Sequence, residues 1–281
     1  MSQEIFDYEL IDCGDYSRVE RFGTTIIDRP CPQASWNSKV EDFEYDVFFQ
    51  NEQGKKTWQG KENLAESWEI QVGKSVRAEL RFSSNGQVGI FPEQLDNWNW
   101  IQKKVNENTE KPLKILNTFA YTGMATLFAS ESHTEVCHLD GAKSSINWAK
   151  KNSELSGKSE NSIRWIEDDV MKFMAREIRR GNTYDGIILD PPAFGRGKKS
   201  DWQISRDLPE LMKLVPQLLS DNPLFVILTC HAPDHFSVKD LAHILEDIPQ
   251  FAGKTAEELY LTIPCSNGNS LTSSFGARIC L

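Results

Sequence analysis

The stretch "LKILNTFAYTGMATLFASESHTEVCHLD" (113–140) holds one complete unit of an α/β fold. An apolar run at 113–119 leads into a turn of small residues ending at Gly123. A helical stretch follows near 124–131, and a second apolar run occupies 135–140. Two buried strands joined through a helix form the crossover of a parallel sheet. On the C-terminal side the rhythm repeats, with strand-like runs at 162–167, 185–190 and 223–230. Helical patterns fall near 144–155, 170–180 and 206–219, and a last one at 237–248. That order predicts a parallel sheet covered by helices on both faces. Two final runs, "ELYLTIP" (258–264) and "SSFGARICL" (273–281), are joined by a short linker carrying Asn267-Gly268. The linker suits a hairpin and is too short for a crossover, so the sheet is expected to close with an antiparallel pair.

On the N-terminal side the period changes. Residues 22–30, 45–60, 68–82 and 86–94 read as short β-type runs with turns between them, and Gly54 and Gly73 stand where hairpin turns fall. Ile70, Val72, Val76, Ala78, Leu80 and Phe82 alternate as in half-buried strands. The expected organisation is a small antiparallel β domain over 1–98 and a Rossmann-like α/β domain over 99–281. Trp36, Trp58 and Trp68 have the shape to stack on bases, but core packing explains them more simply.

Composition narrows the function. No apolar run is long enough to cross a bilayer, and residues 1–10 lack the basic start and apolar core of a signal peptide. The six cysteines are scattered, without metal-type spacing, and the five histidines show no ligand pattern. The expectation is a cytoplasmic protein with reduced thiols, no metal and no membrane partner; oligomeric state stays open. The net charge of −10 argues against non-specific binding to nucleic acid, which relies on cationic side chains. Residues 1–100 carry 18 acids and 10 bases, whereas 101–281 carry 23 and 21. The α/β half is nearly neutral, and a polyanionic substrate is not excluded there.

Ligands of open α/β sheets sit beyond the C-terminal strand ends. The first such end reads Asn117, Thr118, Phe119, Ala120, Tyr121, Thr122, Gly123, a turn small enough for backbone to approach a ligand. It lacks the G-x-G-x-x-G pattern of pyrophosphate-binding folds. The second ends in Asp140-Gly141-Ala142, where the carboxylate can accept both ribose hydroxyls of a nucleoside-type cofactor. The third leads into Asp168-Asp169, placed to meet an adenine amino group, with Asp169 preferred because it directly precedes a helix. A helix N-cap is the plain alternative for either acid. The fourth ends in Asp190-Pro191-Pro192, a stiff turn that fixes a carboxylate at the sheet edge.

With these strand ends in place, the chain resembles class I S-adenosylmethionine-dependent methyltransferases, in the branch of the large-subunit ribosomal RNA cytosine-C5 methyltransferases. The likeness is carried by "LNTFAYTGMATL" (116–127), "HLDGAKSSINWAKKN" (138–152), "WIEDDVMKFM" (165–174), "YDGIILDPPAFGRG" (184–197) and "GIFPEQ" (89–94). The resemblance implies S-adenosylmethionine as cofactor, contacted by Phe119, Gly123, Asp140, Asp169 and Gln94, and RNA as substrate. Members usually have a lysine directly after Asp-Pro-Pro, where this chain has Ala193. Related amine methyltransferases have an aromatic there, and here Phe194 follows one residue later. The target atom is therefore left open, and a small molecule or a protein stays an alternative substrate, with a non-catalytic cofactor-binding scaffold as the remaining reading.

Two chemistries are compatible with this rim. Methylating carbon 5 of cytosine needs a thiolate added at carbon 6, and Cys230, at the end of the fifth strand, is the candidate nucleophile with Asp190 as its partner. The structural alternative for Cys230 is a small buried apolar residue. Methylating an exocyclic amine needs no cysteine: Asp190 and the Pro191 carbonyl would hold the amine while Phe194 stacks on the ring. Pro192 stiffens the same turn, and Arg196, Lys198 and Lys199 follow on a loop suited to gripping phosphates. Arg176, Arg179 and Arg180 are sufficiently explained by the helix dipole.

Overall fold

The structure is a computed structural model, and it describes residues 6–39, 44–52, 55–62, 64–158, 162–195, 201–231 and 235–281. By contacts the chain divides into two units, Met1–Glu93 with Thr262–Ser273, and Gln94–Leu261 with Ser274–Leu281.

The first unit is β-rich. Strands β1 (Tyr8–Gly14), β2 (Ser17–Phe22), β3 (Thr25–Pro30), β4 (Val47–Glu52) and β5 (Lys55–Gly60) form one sheet in sequence order. All its pairings are antiparallel except β3 with β4, which run parallel where Ile27 meets Val47 and Asp28 meets Phe48. A second hairpin pairs β6 (Ser67–Gln71) with β7 (Arg77–Arg81), turning at Gly73, whose φ of +132° suits a residue without Cβ. The other expected turn glycine, Gly54, lies outside the described residues. Ile70, Val72, Val76, Ala78 and Leu80 are buried, as their alternation requires. Residues 86–94 do not form the expected strand. They run irregularly into a 3₁₀ turn at Pro92–Gln94. Pro92 has no amide to give a sheet ladder, and its fixed φ suits the start of a helical turn. Trp58 and Trp68 both pack on Phe82, and their indole N–H groups bond to the Ser83 and Phe22 carbonyls.

The second unit opens with α1 (Leu95–Asn106), a helix that the strand–helix rhythm of the sequence did not reveal. There follow β8 (Leu113–Thr118), α2 (Met124–Ala129), β9 (Thr134–Asp140), α3 (Lys143–Leu155), β10 (Ile163–Glu167), α4 (Val170–Arg179) and β11 (Gly186–Leu189). After the Asp-Pro-Pro turn come a two-residue pairing of β12 (Phe194–Gly195) with β13 (Trp202–Gln203), then α5 (Ile204–Met212) and α6 (Val215–Leu218). The expected single helix over 206–219 is thus two. Pro216 cannot donate to the Met212 carbonyl one turn back, so the helical ladder breaks there. β14 (Phe225–Cys230), α7 (Val238–Glu246), β15 (Glu257–Pro264) and β16 (Ser270–Cys280) complete the chain.

The seven-stranded sheet has the order β10-β9-β8-β11-β14-β16-β15. Its first five strands are parallel, and β16 runs antiparallel to β14, so the Rossmann-like sheet and its closing hairpin are as expected. Both faces are buried. Leu116, Ile187, Leu189, Val226, Leu228 and Cys230 enter one core with α4, α5, α6 and α7. Ile115, Ile188, Phe225 and Ile227 enter the other with Ile101 and Val105 of α1. Strand order reverses between β8 and β11, which opens the ligand crevice at their C-terminal ends. Among the described residues, no helix is long and apolar enough to cross a membrane.

Candidate active site

Strand register sets the site. Thr118 of β8 lies opposite Leu139 of β9 and Leu189 of β11; Glu167 of β10 lies opposite Asp140; Leu189 lies opposite Leu228 of β14. One residue beyond these pairs, Phe119, Asp190 and Thr229 stand side by side on neighbouring strands. Asp140 and Asp168 continue the row on β9 and after β10. The expected strand-end residues therefore share one rim of the sheet.

The turn after β8 is held under backbone strain. Phe119 has φ +54° and Tyr121 φ +48°, in a region that costs a side-chain-bearing residue about 1–3 kcal/mol. Gly123 follows at φ +88° and heads α2. A Cβ at Gly123 would stand 3.0 Å from the Ala149 Cβ of α3, so glycine also permits close helix packing. Three hydrogen bonds offset the strain. The Ala120 amide donates to the Leu139 carbonyl (3.1 Å), the Tyr121 amide to Asp140 Oδ2 (2.8 Å), and Asn152 Nδ2 to the Thr122 carbonyl (2.9 Å).

Asp140 is fixed from both sides, since its Oδ1 accepts the Ala142 amide at 2.8 Å. Burial raises its carboxyl above the usual range, and the two backbone N–H groups oppose that rise. An ionised carboxylate has about four acceptor positions, so two remain for a vicinal diol. Gly141 and Ala142 carry the chain past it into α3.

The paired acids after β10 are already in use. Asp169 caps α4, accepting the Lys172 amide on Oδ1 at 3.0 Å, the plain role weighed from sequence. Asp168 accepts the Asp169 amide at 2.8 Å and pairs with Arg176. Arg176 thus serves a specific carboxylate besides the helix dipole.

Asn117 faces away from the rim. Only 2% exposed, it donates to Thr126 Oγ1 at 2.9 Å, and that oxygen lies 2.9 Å from His138 Nδ1. Burial depresses the His138 imidazole to about 3 and keeps it neutral. Gln94, also buried, ends the 3₁₀ turn and donates from Nε2 to Thr229 Oγ1 at 3.3 Å. Thr229 Oγ1 in turn donates to Asp190 Oδ1 at 2.5 Å.

Asp190 and Thr229 share one side of the sheet. Cys230 does not join them. Side chains alternate along a strand, and Cys230 is fully buried in the core that holds Val226 and Leu228. Strand register therefore aligns Phe119, Asp140 and Asp190 along one rim, while the Cys230 thiol enters the core on the face of β14 opposite Thr229, the core against which Phe119 also packs.

Beyond the rim, Pro191 is buried and Pro192 exposed. Phe194 is 54% exposed beside them. Trp202, which no sequence pattern singled out, donates from Nε1 to the Pro192 carbonyl at 2.7 Å and packs its ring 5.1 Å from that of Phe119. It ties the Asp-Pro-Pro turn to the β8 turn across a sequence gap that no periodicity spans. Thr229 reads in the sequence only as the neighbour of Cys230 in a partial nucleophile motif, and nothing there points to its bond with Asp190. The expected phosphate grips Arg196, Lys198 and Lys199 lie outside the described residues. Among the described residues, no cluster of His, Cys, Asp and Glu could hold a metal.

The groups at this rim could hold S-adenosylmethionine: a carboxylate at Asp140 with acceptor positions left for a diol, and a strained turn at Phe119 and Tyr121 beside it. Known proteins agree. A family model described as S-adenosylmethionine-dependent methyltransferase matches residues 46–243. The crystal structure of a SAM-dependent methyltransferase from Agrobacterium tumefaciens superimposes with a TM-score of 0.91 at 35% identity, covering 99% of this chain and 92% of that one. Ribosomal RNA large subunit methyltransferase I of Aeromonas salmonicida is 26% identical over 197 residues, 69% of this chain and 47% of its own length. Ribosomal RNA large subunit methyltransferase K of Neisseria meningitidis is 31% identical over 166 residues, 55% of this chain and 46% of its own length. The chain spans about half the length of these curated relatives.

Proposed function

The chain belongs to the S-adenosylmethionine-dependent methyltransferase family, and from that premise we propose that it methylates a base of RNA, with ribosomal RNA as the substrate class. The observation that carries the reading is the row Phe119, Asp140 and Asp190 on one sheet rim, in a chain whose curated relatives bear ribosomal RNA methyltransferase names. With that substrate class we infer a cytoplasmic location.

When bound, the cofactor supplies a methyl group on a sulfonium, already a good leaving group. The protein's task is then mainly alignment. Asp140 would hold the ribose hydroxyls, Phe119 and Tyr121 the adenosine flank, and Asp169 the adenine edge through the oxygen that does not cap α4. A base in paired RNA has to be flipped out to reach the rim. Phe194, exposed beside the Asp-Pro-Pro turn, offers a stacking surface for it. Asp190 and the Pro191 carbonyl accept N–H groups from the base edge. Arg196, Lys198 and Lys199 supply positive charge for flanking phosphates.

The placement of Cys230 favours an exocyclic amine over cytosine carbon 5 as the target. A covalent route requires the thiolate to reach carbon 6, and this thiol lies in the core on the other face. The amine route needs only the acceptors on the side of Asp190. Mass spectrometry of nucleosides from cells with and without the gene tests both points. Loss of one methylated nucleoside from ribosomal RNA is the expected result, and its structure names the atom. Unchanged RNA would overturn the substrate assignment.

A further inference from the structure

We propose that Thr229 is a positioning residue for Asp190, and that a buried polar chain anchored on the closing strand β16 sets its hydrogen-bond direction; this rests on the reading of Asp190 as the base-edge acceptor. Five side chains of the second unit form the chain. Arg278 of β16 donates from Nη1 to Asn97 Oδ1 (3.4 Å), and Asn97 Nδ2 donates to Gln94 Oε1 (2.8 Å). Gln94 Nε2 donates to Thr229 Oγ1 (3.3 Å), and Thr229 donates to Asp190 Oδ1 (2.5 Å).

The two ends have fixed polarity. A guanidinium has donors only, and an ionised carboxylate has acceptors only. Asn97 must therefore present its oxygen to Arg278 and its NH₂ to Gln94. Gln94 must then turn its own NH₂ toward Thr229, whose oxygen accepts and whose proton is left for Asp190. Asn97, Gln94 and Thr229 are exposed by only 2%, 6% and 2%, so water competes little for these groups. Reversing any member would leave a buried donor facing a donor, at about 1–3 kcal/mol for each unmade bond.

Arg278 is itself held. Its other nitrogens pair with both Glu257 oxygens of β15 (2.7 and 2.6 Å), and its guanidinium lies 4.7 Å from the Trp100 ring centroid. With Oδ1 of Asp190 occupied and its rotation set, Oδ2 is the oxygen presented to the substrate. A carboxylate free to spin would offer that acceptor only part of the time, which lowers turnover rather than cofactor affinity.

The test compares wild type, Thr229→Val and Thr229→Ser, using ribosomal RNA from cells lacking the gene and labelled S-adenosylmethionine. Crystal structures of each with S-adenosylhomocysteine accompany it. Valine keeps the shape without the hydroxyl; serine restores it. The expected result is a kcat lowered about 10- to 100-fold in Thr229→Val, with cofactor Kd within twofold and recovery in Thr229→Ser. The Asp190 carboxylate should turn away from its wild-type orientation in the valine variant alone. Equal kcat in Thr229→Val and wild type overturns the proposal. If the wild type itself does not methylate this RNA, the substrate reading fails separately. The crystal structures still decide, because an unmoved Asp190 in Thr229→Val overturns the positioning role and a turned one supports it.

Discussion

The backbone amide of Tyr121 donates to Asp140 Oδ2 at 2.8 Å while Tyr121 itself holds φ +48°. One carboxylate thus stabilises a strained turn beside the neighbouring strand's end. Losing Asp140 frees the turn and, on the proposed reading, also removes the acceptor of the cofactor's diol.

Asp140→Ala is expected to weaken S-adenosylmethionine binding by about 1.5–3 kcal/mol, the cost of losing a hydrogen bond to a charged group. Isothermal titration measures it directly. An unchanged dissociation constant would mean that the diol is held elsewhere.

Gly123→Ala forces a side chain to φ +88° and sets its Cβ 3.0 Å from that of Ala149. Stability should fall by about 1–3 kcal/mol in urea melts. Cofactor affinity should fall too, because α2 and the β8 turn share that residue. A variant as stable as wild type would show that the turn relaxes without cost.

Cys230→Ala discriminates the two chemistries. With the thiol in the core beside Val226 and Leu228, methyl transfer should persist within about threefold. Abolished turnover with unaltered cofactor affinity would restore the covalent route to cytosine carbon 5.

Glu177 governs acid stability. Fully buried in α4, it accepts from Tyr184 Oη (2.8 Å), Asn182 Nδ2 (2.9 Å), Arg180 (2.9 Å) and Arg164 (3.2 Å). These partners outweigh the desolvation caused by burial and hold its carboxyl at about 2. The unfolded chain, titrating near the ordinary 4.5, takes up its proton first as pH falls. The stabilisation is therefore complete above about pH 4.5 and is lost between there and about 2. Glu177→Gln should flatten this part of the pH–stability curve and lower stability at neutral pH by about 1–3 kcal/mol. Equal acid slopes for the two proteins would refute the assignment.

His138 acts at higher pH with the same sign. Held neutral by burial at about 3, it lets the unfolded chain bind the extra proton below its ordinary 6.5. Stability should decline as pH drops from about 6.5 toward 3. His138→Gln should remove that portion of the slope in denaturant titrations at pH 4 to 7, leaving the Glu177 portion below it.

Local chemistry made much of this protein legible in one dimension. Alternating apolar runs and helical stretches over 113–230 specify a parallel sheet because each run is buried on both faces. The short Asn267-Gly268 linker specifies the closing hairpin because no crossover fits in it. Strand ends marked by Gly123, Asp140 and Asp190-Pro191-Pro192 point to the rim, since ligands of open α/β sheets sit beyond the C-terminal strand ends. Register and facing came only with tertiary structure. Adjacent letters in the chain, Thr229 and Cys230 leave opposite faces of β14, so the threonine meets Asp190 and the cysteine enters the core. Trp202 reaches Phe119, and Arg278 reaches the edge of the site through Asn97 and Gln94, across separations that no local pattern encodes. Sequence periodicity says which residues are buried; the hydrogen-bonded register between strands decides which of them meet.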